Sequence, residues 1–167
     1  MIDTEVPRRR AAAGITLVIM ALIGALAGMA SPANAAYNPM YLQSAYNDYY
    51  CTDYNPSGGV PVLGECDYSH EWLFVPANPS LNSYYLVARY GSDNMCLEQP
   101  DRNSDHLVVS LCRGATSQRW QIVYIGPGNA YRSYNGTGPC LDAPFGGSNI
   151  IAARTCHYRT NQQWYNF

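Results

Sequence analysis

Few side chains in this chain have the type and spacing that catalysis requires. His70, His106 and His157 share no metal-ligand spacing, and the nucleophile pattern Gly-x-Ser-x-Gly is absent. Asp53, Glu98 and Asp142 each follow a cysteine by two positions. Groups that recur at one place in a repeat are held apart by its symmetry, whereas glycoside hydrolysis needs two carboxylates that face each other. Neither an enzyme nor a metal or cofactor site is expected. The chemistry that remains is disulfide formation and reversible binding through polar and aromatic side chains.

The six cysteines, Cys51, Cys66, Cys96, Cys112, Cys140 and Cys156, allow 15 pairings. They fall into three close pairs, with separations of 15, 16 and 16 positions, and the first members stand 45 and 44 apart. This is an internal repeat, and it predicts bridges 51–66, 96–112 and 140–156, one per unit. Zinc is the poorer reading, because no Cys-x-x-Cys pair is present and an exported chain meets an oxidising environment. Trp72, Trp120 and Trp164 keep the same beat, following the first cysteines by 21, 24 and 24 residues. Their contexts are His70-Glu71-Trp72, Gln118-Arg119-Trp120 and Gln162-Gln163-Trp164. A Gln-x-Trp element therefore recurs, degenerate in the first copy, where His70 reads as a structural hydrogen-bonding residue. All three tryptophans are expected in the core.

Export is read from the N-terminus. Arg8, Arg9 and Arg10 precede an apolar stretch from Ala11 to Ala30, then Pro32 and the small-x-small pattern Ala33-Asn34-Ala35. This predicts a signal peptide over 1–36 and one domain over 37–167. The rival is an uncleaved anchor, since the apolar run is near the spanning length. The exported part carries seven arginines, no lysine and ten carboxylates. That mild acidic balance argues against nucleic acid or an anionic membrane as partner. Sparse charge with 15 tyrosines suits sugar or protein contacts, because a phenol ring offers an apolar face and a polar tip.

The elements that must position these groups are strands. The second unit is clearest, with β-branched and aromatic runs at 83–90, 95–99, 107–112 and 119–125. Gly91-Ser92-Asp93-Asn94 and Asn135-Gly136-Thr137-Gly138 have hairpin-turn chemistry. The second stretch also matches a glycosylation sequon but is read as a turn. No segment after the leader keeps a helical period. Repeats over about 40–80, 81–127 and 128–167, with four strands each, predict about a dozen strands. A propeller needs at least about four blades, so three copies close as a threefold barrel with a hairpin cap. Closure removes the sheet edges, and the C-terminal strand belongs to the barrel.

Three units that each carry a cysteine pair and a Gln-x-Trp closely resemble the ricin B-type lectins. The best matches are Cys96-Leu97-Glu98, Ser110-Leu111-Cys112 and Gln118-Arg119-Trp120, then Cys140-Leu141-Asp142, Arg154-Thr155-Cys156 and Gln162-Gln163-Trp164. The resemblance covers roughly 40–167. It implies an all-β fold, the β-trefoil, and carbohydrate binding at up to three shallow sites, often for galactose- or xylose-type sugars. Such domains commonly target a toxin or glycosidase.

The resemblance also implies the parts of a working site. An Asp two positions after the first cysteine accepts bonds from sugar hydroxyls. A ring two positions before the second cysteine stacks on the sugar. An Asn and the Gln before Trp complete the grip. The third unit has Asp142, Asn161 and Gln162, with Arg154 at the ring position. The second has Glu98, Ser110, Ser117 and Gln118; the first has Asp53, Gly64, Ser69 and His70. Only the third fits. There the stacking ring comes from Phe145 or Tyr158, or Arg154 meets an acidic sugar, or Arg154 pairs with Asp142 and the site is dead. The expected function is a secreted, non-catalytic carbohydrate-binding module with one sugar site in the third repeat. The alternative is a trefoil with degenerate sugar sites that binds a protein, as a toxin-complex targeting subunit does.

Overall fold

The computed structural model describes residues 39–55, 59–67, 71–89, 94–144 and 148–167. The leader expected over 1–36, most of the turn at 91–94, Ser69, His70 and Phe145 lie outside the described residues. The first repeat contributes β1 (Pro39–Met40), β2 (Leu42–Ser44), β3 (Tyr50–Asn55), β4 (Val60–Glu65) and β5 (Trp72–Asn78). The second contributes β6 (Ser83–Ala88), β7 (Met95–Glu98), β8 (Val108–Leu111) and β9 (Arg119–Tyr124). The third contributes β10 (Asn129–Arg132), β11 (Cys140–Asp142), β12 (Ala152–Arg154) and β13 (Trp164–Asn166).

These strands form a β-trefoil. In the barrel β5 pairs β6, β6 pairs β9, β9 pairs β10, β10 pairs β13, and β13 pairs β2. The ring closes because the chain changes neighbour at Tyr41: β1 pairs β5 while β2 pairs β13. One interrupted strand thus satisfies both flanks, and the barrel keeps no open edge. The break makes thirteen described strands rather than an even dozen. The hairpins β3–β4, β7–β8 and β11–β12 form the cap. They interlock cyclically: Val109 N–H donates to Gly59 O, Leu63 N–H to Asn149 O, and Ala153 N–H to Asp105 O.

The core repeats with the same symmetry. Trp72, Trp120 and Trp164 are no more than 1% exposed. Each indole N–H donates to the carbonyl just after the first cysteine of its own repeat: Thr52 O at 2.9 Å, Leu97 O at 2.9 Å and Leu141 O at 3.2 Å. A buried indole needs such a partner, and here the bond ties the last strand of a repeat to its hairpin. Leu42, Leu86, Leu97, Leu107, Leu141 and Ile151 fill the space around the rings.

Bridges 51–66, 96–112 and 140–156 form as the spacing predicts. Each closes a short loop, and loops of this length are stabilised by about 3 kcal/mol in the chain-entropy account. Replacing Cys96 and Cys112 together by alanine is expected to lower unfolding free energy by about that amount, read from urea titration. An unchanged midpoint would contradict it.

The turn at 135–138 differs from expectation. Its left-handed residues start one place earlier, with Tyr134 (φ 51, ψ 46) and Asn135 (φ 56, ψ 36), followed by Gly136 at φ 85. Two successive residues of positive φ suit a turn between twisted strands, but the sequence signal for it is Asn-Gly, not Tyr-Asn. Tertiary contacts overrule local preference here. The Tyr134 hydroxyl donates to Gln99 O at 2.8 Å, and the Arg102 guanidinium lies 5.6 Å from its ring centre.

Candidate functional site

The acid two places after the first cysteine ends a cap strand in the two best-matched repeats. Asp142 closes β11 opposite Ala152, and Glu98 closes β7 opposite Val108. A single 3-10 turn precedes each of the last two tryptophan strands, Thr116–Gln118 and Thr160–Gln162. It swings the Gln side chain back beneath the acid. In both repeats the Gln also accepts a backbone N–H from the residue after the second cysteine, Arg113 at 2.9 Å and His157 at 2.8 Å. The Gln of Gln-x-Trp is therefore a strut of the fold in both copies.

In the third repeat three predicted residues converge. Asn161 Nδ2 and Gln162 Nε2 each donate to Asp142 Oδ2 at 2.8 Å. His157 Nε2 stands 3.6 Å from the same oxygen. Among the described residues no donor reaches the other oxygen, Asp142 Oδ1. Asn161 Oδ1 is buried and also accepts nothing. Two acceptors are thus uncommitted, although Asp142 and Asn161 are each only 2% exposed. Of the two, Asn161 Oδ1 is shut away from water, and such an acceptor is costly to leave bare.

The second repeat closes on itself. Glu98 Oε1 accepts from Arg113 Nη2 and from Ser117 Oγ at 2.8 Å. Its Oε2 accepts from Ser110 Oγ and from Gln118 Nε2 at 3.2 Å. Burial pushes this carboxyl up, but bonds from Ser110 and Ser117, the Arg113 charge and Gln118 together hold it below its usual range. A carboxylate lowered by folding stabilises above its unfolded pKa, and that contribution is lost as pH falls through the folded one. Glu98→Gln is accordingly expected to be less stable than the parent near neutral pH. The gap should narrow as pH falls through and below the ordinary glutamate range, read from denaturant midpoints at successive pH values. A gap independent of pH would refute the assignment.

In the first repeat Asp53 Oδ1 accepts the Tyr54 N–H at 2.6 Å. Its remaining expected partners, Ser69 and His70, lie outside the described residues.

Arg154 does not pair with Asp142. It is exposed at the end of β12 and lines a cleft with Arg102, Arg132 and His157. Tyr158 is 37% exposed and left-handed at φ 58, with its N–H held by Gln162 Oε1 at 3.1 Å. Its backbone thus sits against the Gln162 side chain of the clamp, while Phe145 lies outside the described residues. His157 is the residue that the sequence reading missed. The signal was there, because His157 follows Cys156 as Arg113 follows Cys112, and both approach the acid of their repeat.

Known proteins agree with this architecture. The family description of the ricin-type beta-trefoil lectin domain matches residues 38–164. The chain belongs to that family. No curated protein matches the chain by sequence. Among solved structures, ThreeFoil, a designed 3-fold symmetric protein, aligns with a TM-score of 0.66 at 17% identity, over 77% of this chain and 96% of its own. A mosquitocidal holotoxin aligns with 0.68 at 15% identity, over 78% of this chain and 16% of the toxin. The Polyporus squamosus lectin, bound to a human-type influenza-binding epitope, aligns with 0.66 at 15% identity, over 78% of this chain and 48% of the lectin. The chain therefore spans less than half of the holotoxin and of that lectin. At these identities the likeness establishes the fold.

Proposed function

We propose that this chain is an exported, non-catalytic carbohydrate-binding module whose single working sugar site is the third-repeat clamp. One contrast supports the reading: Asp142 keeps an oxygen that no side chain among the described residues uses, whereas both oxygens of Glu98 are filled. Asp142 Oδ1 would accept from a sugar hydroxyl while Asn161 and Gln162 fix Oδ2. Hydrogen bonds to a charged acceptor are the stronger kind. Tyr158 supplies the apolar face, or Phe145 does. The leader over 1–36 is removed on export, leaving the domain over 37–167 without nucleic-acid or membrane attachment. A lone shallow site gives a Kd near millimolar, about 4 kcal/mol, and multivalency tightens the overall binding where needed.

The test is a glycan and polysaccharide screen of the exported protein beside its Asp142→Asn variant. Silence across all sugars ends the lectin reading. Binding that ignores the substitution moves the site out of the third repeat. Tyr46 and Tyr49, 48% and 78% exposed, favour a second reading in which a tyrosine surface docks a protein. A silent screen, together with a discrete complex that Tyr49→Ser weakens, would support that reading.

A further inference from the structure

The sugar clamp leaves one neighbouring feature unused. A cleft of about 800 Å³ lies among the β7–β8 connection, the turn between β10 and β11, and the segment after β12. Arg102, Arg132, Arg154 and His157 line it, and Asp105 is its one carboxylate. The chain as a whole carries a net charge of −2, and the exported part has seven arginines against ten acids. Three of those seven nevertheless meet in this cleft.

The guanidiniums are held without being neutralised. Arg102 donates through Nη2 to Thr137 O and lies over the Tyr134 ring. Arg132 donates through Nε to Gly138 O at 2.9 Å. A guanidinium has five N–H donors, so each keeps most of its fork for something else. Fixing a side chain before binding reduces the ordering cost when a ligand arrives. Among the described residues no carboxylate pairs with Arg102, Arg132 or Arg154. His157 joins the two features, since it lines the cleft and stands 3.6 Å from Asp142 Oδ2.

We infer that this cleft receives the anionic group of an acidic glycan, a carboxylate or sulfate on a sugar unit neighbouring the one held by Asp142. The planar guanidinium fork matches a two-oxygen anion and can bond it with two parallel N–H groups. The inference rests on the sugar-binding reading for the polymer, while the anion is recognised by the arginines alone.

Binding of the exported protein to oligogalacturonate, its methyl ester, dextran sulfate and dextran tests it. At least one acidic polymer is expected to bind about tenfold or more tightly than its neutral counterpart, with the difference shrinking as salt is raised. Preference for the uronate assigns a carboxylate, and preference for dextran sulfate assigns a sulfate. Arg154→Ala and Arg102→Gln should each erode the acidic preference. Arg154 is exposed, so its variant keeps the fold. Equal affinity within both pairs overturns the inference, as does no binding to any of the four. An acidic preference that survives the double variant Arg102→Gln, Arg154→Ala also overturns it, and equal capture of a DNA duplex overturns the glycan assignment. Asp142→Asn separates the two readings. If it changes affinity for no polymer while the acidic preference persists, the clamp falls and the cleft stands.

Discussion

Asp142→Asn is expected to abolish measurable sugar binding and leave the fold nearly untouched. The substitution is close to isosteric. Its amide oxygen can stay where Oδ2 is, still accepting from Asn161 Nδ2 and Gln162 Nε2, each now at 2.8 Å. The new NH2 then replaces Oδ1, the oxygen that no donor among the described residues reaches. A sugar hydroxyl that donated to a charged acceptor would meet a donor instead. Hydrogen bonds to charged groups contribute about 1.5–3 kcal/mol, and a misplaced donor adds repulsion. Affinity should therefore fall by about tenfold at the least and by more than a hundredfold at the upper end. Calorimetric titration against the best glycan of the screen measures this, with a thermal melt as control. Glu98→Gln is the matched comparison. It alters the same repeat position in a site whose acid is already saturated, so it should change stability with pH and leave sugar affinity alone. If the two variants lose affinity equally, the distinction between an open and a closed site is wrong.

Much of this was legible in the sequence, for a specific reason. Disulfide pairing and the tryptophan core repeat in register, and a threefold repeat cross-checks itself: Cys96–Cys112 and Cys140–Cys156 share one separation of 16. The Asp142, Asn161 and Gln162 convergence was legible from the family pattern. Other features depend on contacts that no repeat position announces. The interruption at Tyr41, which lets β1 and β2 serve different neighbours, follows from closing the ring and not from any breaker residue. The left-handed Tyr134 is held by Gln99 and Arg102, both more than thirty positions away. For Arg154 the motif left three readings open, a stacking ring supplied by another residue, an acidic sugar, or a pairing with Asp142, because it stands at the ring position. Its side chain lines a cleft with Arg102 of the second repeat and with Arg132 at the end of β10 in its own repeat. The saturation of Glu98 was hidden for a similar reason, since Arg113 and Ser117 reach it from 15 and 19 residues along the chain.

Trp120→Ala should give the largest loss of stability in the molecule, about 3–5 kcal/mol for a fully buried tryptophan. Two effects combine. The ring is 0% exposed within the core shared by Leu86, Leu97 and Leu107, so its removal leaves a cavity that a closed barrel cannot collapse. The variant also strips Leu97 O of its 2.9 Å donor, leaving a buried carbonyl unsatisfied. Trp120→Phe separates these, because it keeps most of the apolar volume and loses the indole N–H; it is expected to cost about 1–3 kcal/mol. Urea unfolding of both variants measures the difference, and the alanine variant should melt roughly 10 °C or more below the parent. The second repeat is the right place for this experiment because its acid is saturated. Whatever fraction of Trp120→Ala remains folded should bind the same glycan with unchanged affinity per folded molecule. Such a result would assign the Gln-x-Trp of the second repeat to the fold and leave sugar recognition to Asp142 and the Asn161 that stands directly before the third copy.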